Sequence, residues 1–187
     1  MPTYFGVTTV GGETDSGNTN YLMWHNPAVV AYNCPGSGNQ TIQELSAHVR
    51  YNSAATYHVR ICVYSAAGAL LCQSESAVVD NATYAWKGTT NPANTDPANY
   101  NLVGGTQYIL CLHIENADTR IAYAVLTAAM KKTTNYPYSG GPAATLPAGN
   151  NYIANFSIRC GVDAAAGGLS IPVARPYTQA VNRAAVY

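Results

Sequence analysis

Charged side chains are scarce in this chain. Lys, Arg, Asp and Glu make up 10% of its 187 residues, nine basic against nine acidic, for a net charge of zero. Soluble domains usually carry about 25%. A phosphate-binding surface needs many Lys and Arg contacts, so nucleic acid is excluded as an expected partner. Disorder is excluded too, because 48% of the residues are hydrophobic. No apolar run approaches the ~20 residues of a membrane helix, so membrane insertion is not expected. The opening Met1-Pro2-Thr3-Tyr4 lacks a basic stretch followed by an apolar one, and no signal peptide is expected.

Motifs of chemistry are missing as well. The cysteines Cys34, Cys62, Cys72, Cys111 and Cys160 contain no C-x-x-C pair, which argues against structural zinc. Their odd number leaves at least one thiol unpaired within the chain. No G-x-S-x-G, H-E-x-x-H or P-loop occurs. The acidic residues are scattered singly, without a local pattern of paired carboxylates. His25, His48, His58 and His113 never stand at ligand spacing to one another. Catalysis is therefore not expected, and the residues imply no cofactor.

What is abundant points to strands joined by turns: 15 Tyr, 16 Gly, 10 Pro and many Asn and Thr. Low charge with Tyr, Asn, Thr and Ala also suits a surface that lies against other protein. From Gln43 to Tyr51, Leu45, Ala47, Val49 and Tyr51 alternate with Ser46, His48 and Arg50. From Tyr57 to Ser65, Val59, Ile61 and Val63 alternate with His58, Arg60 and Tyr64. Period two over such lengths marks half-buried strands. Further strands are expected at Thr3 to Val10, Tyr21 to Tyr32, Ala77 to Trp86, Gln107 to Glu115, Arg120 to Leu126 and Tyr152 to Cys160. Gly88 to Asn101 and Lys131 to Asn151 read as long connections. No segment has helical periodicity, so the chain reads as an all-β antiparallel sandwich.

Two registers follow from the turns. Ser65-Ala66-Ala67-Gly68-Ala69 reads as a three-residue hairpin loop with Gly68 left-handed. Counting back from Ser65 opposite Ala69 puts Cys62 opposite Cys72, where either a disulfide or two facing thiols fit. If Tyr51 pairs with Tyr57, then Arg50 faces His58 and His48 faces Arg60, with Tyr64 and Glu44 continuing the row. A polar, cationic and aromatic face of this kind suits sugars or acidic groups, and a solvated outer face is the alternative. Trp24 is a platform or a core residue. Tyr136 and Tyr138, with Tyr152, cluster around a Pro/Gly loop and read as a binding rim or contact surface.

From Gly161 the composition turns to Ala, Gly, Pro and Val, a hinge followed by an extended arm. Leu169, Ile171 and Val173 alternate there, with Tyr177 and Tyr187 beyond, while Pro172 and Pro176 bar a central strand position. Such an arm frays unless held, so it is expected to pack on its own domain or dock on a neighbour. The organisation is thus a domain at 1–160 and an assembly arm at 161–187.

Val59 to Ser74, Tyr84 to Thr90 and Tyr100 to Asn116 resemble the jelly-roll, carbohydrate-binding-module-like domains of bacterial surface proteins and phage structural and fibre proteins. The shared features are Tyr64 before Gly68, Trp86 on a strand, then Leu102, Gly105, Thr106 and Tyr108. Phe5 to Gly12 is similar to the family's first strand, and the resemblance covers roughly residues 4 to 128. It implies a sandwich of jelly-roll type, with Trp86 packed in or beside the core. It also implies a Ca2+ site, for which Glu13, Asp15 and Asn18 offer oxygen ligands, with Asp80, Asn81 and Asp96 as others and a plain turn as the alternative.

The function expected is a non-catalytic structural or adhesive subunit of a surface assembly, of the phage virion decoration or fibre type, at a virion or cell surface. Its partners would be its own copies, other virion or surface proteins, and surface glycans. A secreted carbohydrate-binding module and a small hydrolase are the alternatives.

Overall fold

The computed structural model describes residues 1–10, 12–15, 21–25, 32–51, 56–80, 82–116, 119–125, 130–133, 136–152 and 155–163. The expected arm residues Leu169, Ile171, Val173, Tyr177 and Tyr187 lie outside the described residues, as do Asn18, Asn81 and the side chains of Glu13 and Asp15.

Sixteen strands, numbered in chain order, form two antiparallel sheets. In the first, β1 (Thr3–Gly6), β16 (Ile158–Val162), β4 (Asn39–Tyr51) and β8 (Ala85–Thr89) lie side by side. In the second the order is β3 (Tyr21–His25), β11 (Tyr108–Ile114), β5 (Tyr57–Ser65) and β6 (Leu70–Ser74). Counted in chain order as strands one to eight, these read one-eight-three-six and two-seven-four-five, the jelly-roll arrangement. The first sheet is extended by β2 (Gly12–Asp15), β10 (Asn101–Val103), β12 (Thr119–Val125) and β15 (Asn155–Phe156). The second is extended by β7 (Ala77–Val79), β9 (Thr95–Asp96), β13 (Met130–Thr133) and β14 (Asn150–Tyr152). Helical structure among the described residues is limited to single turns at Pro92–Asn94 and Tyr138–Gly140.

The alternating side chains pack where their period puts them. Leu45, Ala47 and Val49 of β4 and Val59, Ile61 and Val63 of β5 enter one core between the sheets. Leu110, Leu112 and Ile114 of β11 and Ile158, Cys160 and Val162 of β16 join them. Each large aliphatic side chain buried there contributes about 2 kcal/mol. A bulge at Gln43, where β16 passes from Glu44 to Ile42, keeps Ile42 facing inward. Strand β11 is buried along its whole length, because Ile109, Cys111 and His113 on its outer side are covered as well.

Several registers differ from expectation. Strands β4 and β5 do not pair; they belong to different sheets. Alternation assigns each strand an inner face but names no partner, and here both inner faces meet across the core. The row of His48, Arg50, His58 and Arg60 is therefore split between the two outer faces. Ser65 does sit opposite Ala69 and Gly68 is left-handed at φ +84. A bulge then slips the register, so that Tyr64 faces Leu70 and Val63 faces Cys72. That single residue turns Cys72 into the inter-sheet core while Cys62 stays on the outer side. The Cys62–Cys72 disulfide is thereby ruled out, and all five thiols are free. The expected strand from Ala77 to Trp86 is two strands, β7 and β8, in different sheets. The sandwich also runs past Cys160: Gly161 and Val162 belong to β16, and the Asp163 amide donates to the carbonyl of Thr41.

Gly88 explains part of this geometry. It holds φ +149 opposite Ser46, and a Cβ there would collide with the Leu45 carbonyl oxygen. Gly140 faces open space. Urea titration of Gly88→Ala should show a loss of about 2 kcal/mol or more, whereas Gly140→Ala should stay within about 0.5 kcal/mol of the parent.

Candidate functional site

The outer face of the first sheet carries a continuous stack of flat side chains. Two glycines lie in the floor beneath it. Gly161 of β16 lies opposite Tyr4 of β1, and a Cβ there would press on the Tyr4 ring. Gly88 of β8 lies opposite Ser46, one strand from Arg159. Above this shallow floor the Arg159 guanidinium sits 4.5 Å from the Tyr4 ring centre and 3.9 Å from that of Trp86. Register then places His48 opposite Trp86, with ring centres 5.1 Å apart. His48 also stacks on Tyr84 at 5.5 Å, and Arg50 caps Tyr84 at 5.3 Å. The sequence Tyr4, Arg159, Trp86, His48, Tyr84, Arg50 is thus a ladder running across four strands, β1, β16, β8 and β4, and the approach to β8. All six residues are half-buried.

Polar contacts pin one end of the ladder. Arg159 donates to Glu44 Oε1 from Nη2 at 2.7 Å and from Nε at 2.9 Å. Tyr4 Oη donates to Glu44 Oε2 at 2.7 Å, and Ser46 Oγ donates to Oε1. Burial disfavours the Glu44 carboxylate, but the hydrogen bonds from Ser46, Tyr4 and Arg159, with the charge of Arg159, outweigh it. Its carboxyl is held below the usual range. Burial, helped by the charge of Arg159, keeps the His48 imidazole neutral further into acid than usual. The Glu44 and Arg159 charges cancel. The face is therefore rigid and aromatic, and at its far end Arg50 stands opposite Arg120 of β12.

The outer face of the second sheet is different. A strap, residues 136–149, crosses it. Tyr64, expected as a ligand residue, is buried beneath the strap and donates its hydroxyl to the Ala143 carbonyl at 2.8 Å. Tyr138 is buried too, and Tyr136 half-buried. Arg60 lies 4.4 Å over the Tyr138 ring and donates to its carbonyl oxygen at 3.0 Å. His58 pairs with Glu115 at 2.7 Å. Trp24 is buried against Cys62, Tyr64, Ile109 and Cys111. Its edge lines an open cleft of about 330 Å³ with Ile109, Leu146, Pro147 and Lys131, beside the hairpin tip 66–68.

Of the residues expected to bind a ligand, His48 and Arg50 come together on the first sheet. His58, Arg60, Tyr64, Tyr136 and Tyr138 come together on the second, with Trp24 at its far end. Trp86 is not a core residue as expected; it stands half-buried on the first outer face. Tyr4, Glu44, Tyr84 and Arg159 complete the stack. Nothing local in the sequence links them, since the ladder joins β1, β4, β8 and β16. No cluster of three metal-ligating side chains occurs among the described residues. Of the other expected calcium ligands, Asp80 pairs with Lys87 at 2.8 Å and Asp96 accepts from Gln73 at 3.2 Å. The backbone of Glu13 and Asp15 lies in β2 rather than in a turn.

Searches against family models, curated proteins and solved structures find nothing that matches this chain.

Glu44→Gln leaves Arg159 without its anion in a half-buried site, and should cost about 1–3 kcal/mol at pH 7 in denaturant titration. The native Glu44 carboxyl is held low, so its contribution is complete above the ordinary value of 4.5 and is lost as pH falls through the native value. The gap between parent and variant should therefore close in acid.

Proposed function

We propose that this chain is a non-catalytic structural subunit of a surface assembly, of the virion decoration or fibre type. It contacts its neighbours through the outer face of its first sheet. The observation that carries this reading is the Tyr4–Arg159–Trp86–His48–Tyr84–Arg50 ladder. Trp, Tyr and Arg dominate the binding energy of protein interfaces. Side chains already locked by stacking and hydrogen bonds lose little further entropy on contact. The internal neutralisation of Arg159 by Glu44 removes a charge that would otherwise be desolvated unpaired. Sugar stacking, in contrast, uses an open ring face, and here the Tyr4 and Trp86 faces are engaged by Arg159 and His48. The residues after Asp163, expected as an arm, supply a second contact in this reading.

A carbohydrate-binding role is the second reading, favoured by the cleft at Trp24. The cleft size falls in the small-molecule range, and Lys131 at its rim has no ion-pair partner among the described residues.

Light scattering after size exclusion, over a range of concentrations, tests the assembly reading. The full chain should elute at a multiple of 19.7 kDa. Trp86→Ala combined with Arg50→Glu should shift it to the monomer while circular dichroism stays unchanged. A wild-type monomer at every concentration, or a variant that assembles as the parent does, would sink the reading.

A further inference from the structure

The strap 136–149 is fastened to the second sheet at five points. Arg60 donates to the Tyr138 carbonyl at 3.0 Å, and Ser76 Oγ meets Tyr138 Oη at 2.8 Å. Tyr64 Oη donates to Ala143 O, the Leu70 amide to Ala144 O and the Leu146 amide to Gly68 O, each at 2.8 Å. Beneath it lies an apolar layer separate from the inter-sheet core: Leu22, Trp24, Cys62, Tyr64, Ile109 and Cys111. Both strands that supply Cys62 and Cys111 place them directly opposite each other.

One residue in this layer does not suit it. His113 is fully buried, and neither of its ring nitrogens has a hydrogen-bond partner in good geometry. Its ring meets Tyr136 edge-on at 5.6 Å and lies tilted on Tyr138 at 4.7 Å, so the N-terminal end of the strap rests on it. From β5 the residue directly opposite is the cation Arg60; from β3 it is Leu22. His58 is two residues from Arg60 on β5, and Glu115, the carboxylate nearest along β11, is already held by His58 at 2.7 Å. From β13, Lys131 lies opposite Trp24 and Thr133 opposite Leu22. Among the described residues, each charged side chain facing the layer that is not already paired is a cation.

We propose that the strap is an acid-released cover: it stays closed while His113 is neutral and opens when His113 takes a proton, uncovering the apolar outer layer of the second sheet. Burying a neutral imidazole between two tyrosine rings costs far less than burying a charged one. An imidazolium there would be a second cation beside Arg60, buried, with no free carboxylate among the described residues to receive it. Lifting the strap lets water reach it, while the inter-sheet core is left intact.

Burial is the main cause that brings the His113 value down from 6.5 to about 4; Arg60 adds to it and the Tyr136 backbone opposes it. The sign follows from linkage. The closed state holds its full advantage above pH 6.5 and loses about tenfold per pH unit as pH falls toward 4, about 300-fold in all.

The test labels thiols of the full chain with 4,4′-dithiodipyridine between pH 7 and pH 4. The modified cysteines are identified by mass spectrometry, and each rate is referred to that of a small thiol at the same pH. Cys62 and Cys111 lie under the strap; Cys72 and Cys160 lie in the inter-sheet core. The expected result is a rise of about 100-fold at Cys62 and Cys111 between pH 7 and pH 4, with no matching rise at Cys72 and Cys160. His113→Leu and His113→Gln, which cannot titrate, should each flatten the profile. Flat wild-type rates at Cys62 and Cys111, a parallel rise at Cys72 and Cys160, or a rise that survives in the folded variants would each overturn the proposal.

Discussion

Leu45, Ala47 and Val49 on one sheet and Val59, Ile61 and Val63 on the other share one apolar layer, and every other feature is arranged around it. Sheets packed this way stand about 10 Å apart, the thickness of two interleaved layers of side chains. Once the inner rows are committed to this layer, the residues between them have no choice but to face outward. Ser46 and His48 go to one surface of the molecule; His58, Arg60 and Cys62 go to the other. Residues 52–55 connect two strands that look, by sequence, like a hairpin, yet the burial of both inner rows places them in separate sheets.

The two outer faces then solve different problems. On the first, charge is taken in and cancelled: Glu44 is buried only because Arg159, Tyr4 and Ser46 surround it, and Arg159 in turn orders Tyr4 and Trp86. On the second, apolar surface is left over. Trp24, Ile109 and Cys111 would be exposed but for the strap, so β11 has two buried faces where a sandwich strand usually has one. A rigid, partly open aromatic face and a covered apolar one give a single domain two surfaces of very different character. The first is ready for contact as it stands. The second is available only when its cover is moved.

Much of this architecture was legible from the residues alone. Alternation in 43–51 and 57–65 named the inner rows correctly, because burial of one face of a pleated strand leaves a period of two whatever the strand's neighbours are. Gly68 marked its turn, because a left-handed position excludes most side chains. Abundant Tyr, Gly, Pro, Asn and Thr and the absence of helical periodicity pointed to an all-β sandwich. Partners were not legible. The bulge after Tyr64 adds one residue to β6 and carries Cys72 through the sheet, and no local signal announces it. Gly161 looked like the start of a hinge; its missing side chain instead accommodates the Tyr4 ring.

What the amino-acid order determined by itself was therefore local: which residues are extended, where the chain turns, and which side of each strand avoids water. These depend on backbone sterics and on the spacing of apolar groups, both of which are written along the chain. Only the tertiary structure decided which strands lie together, and hence that Arg159 would sit between Tyr4 and Trp86, or that His113 would lose its water beneath residues 136–149. Those contacts join positions far apart in sequence, and their energies exist only once the sheets have closed on their common core.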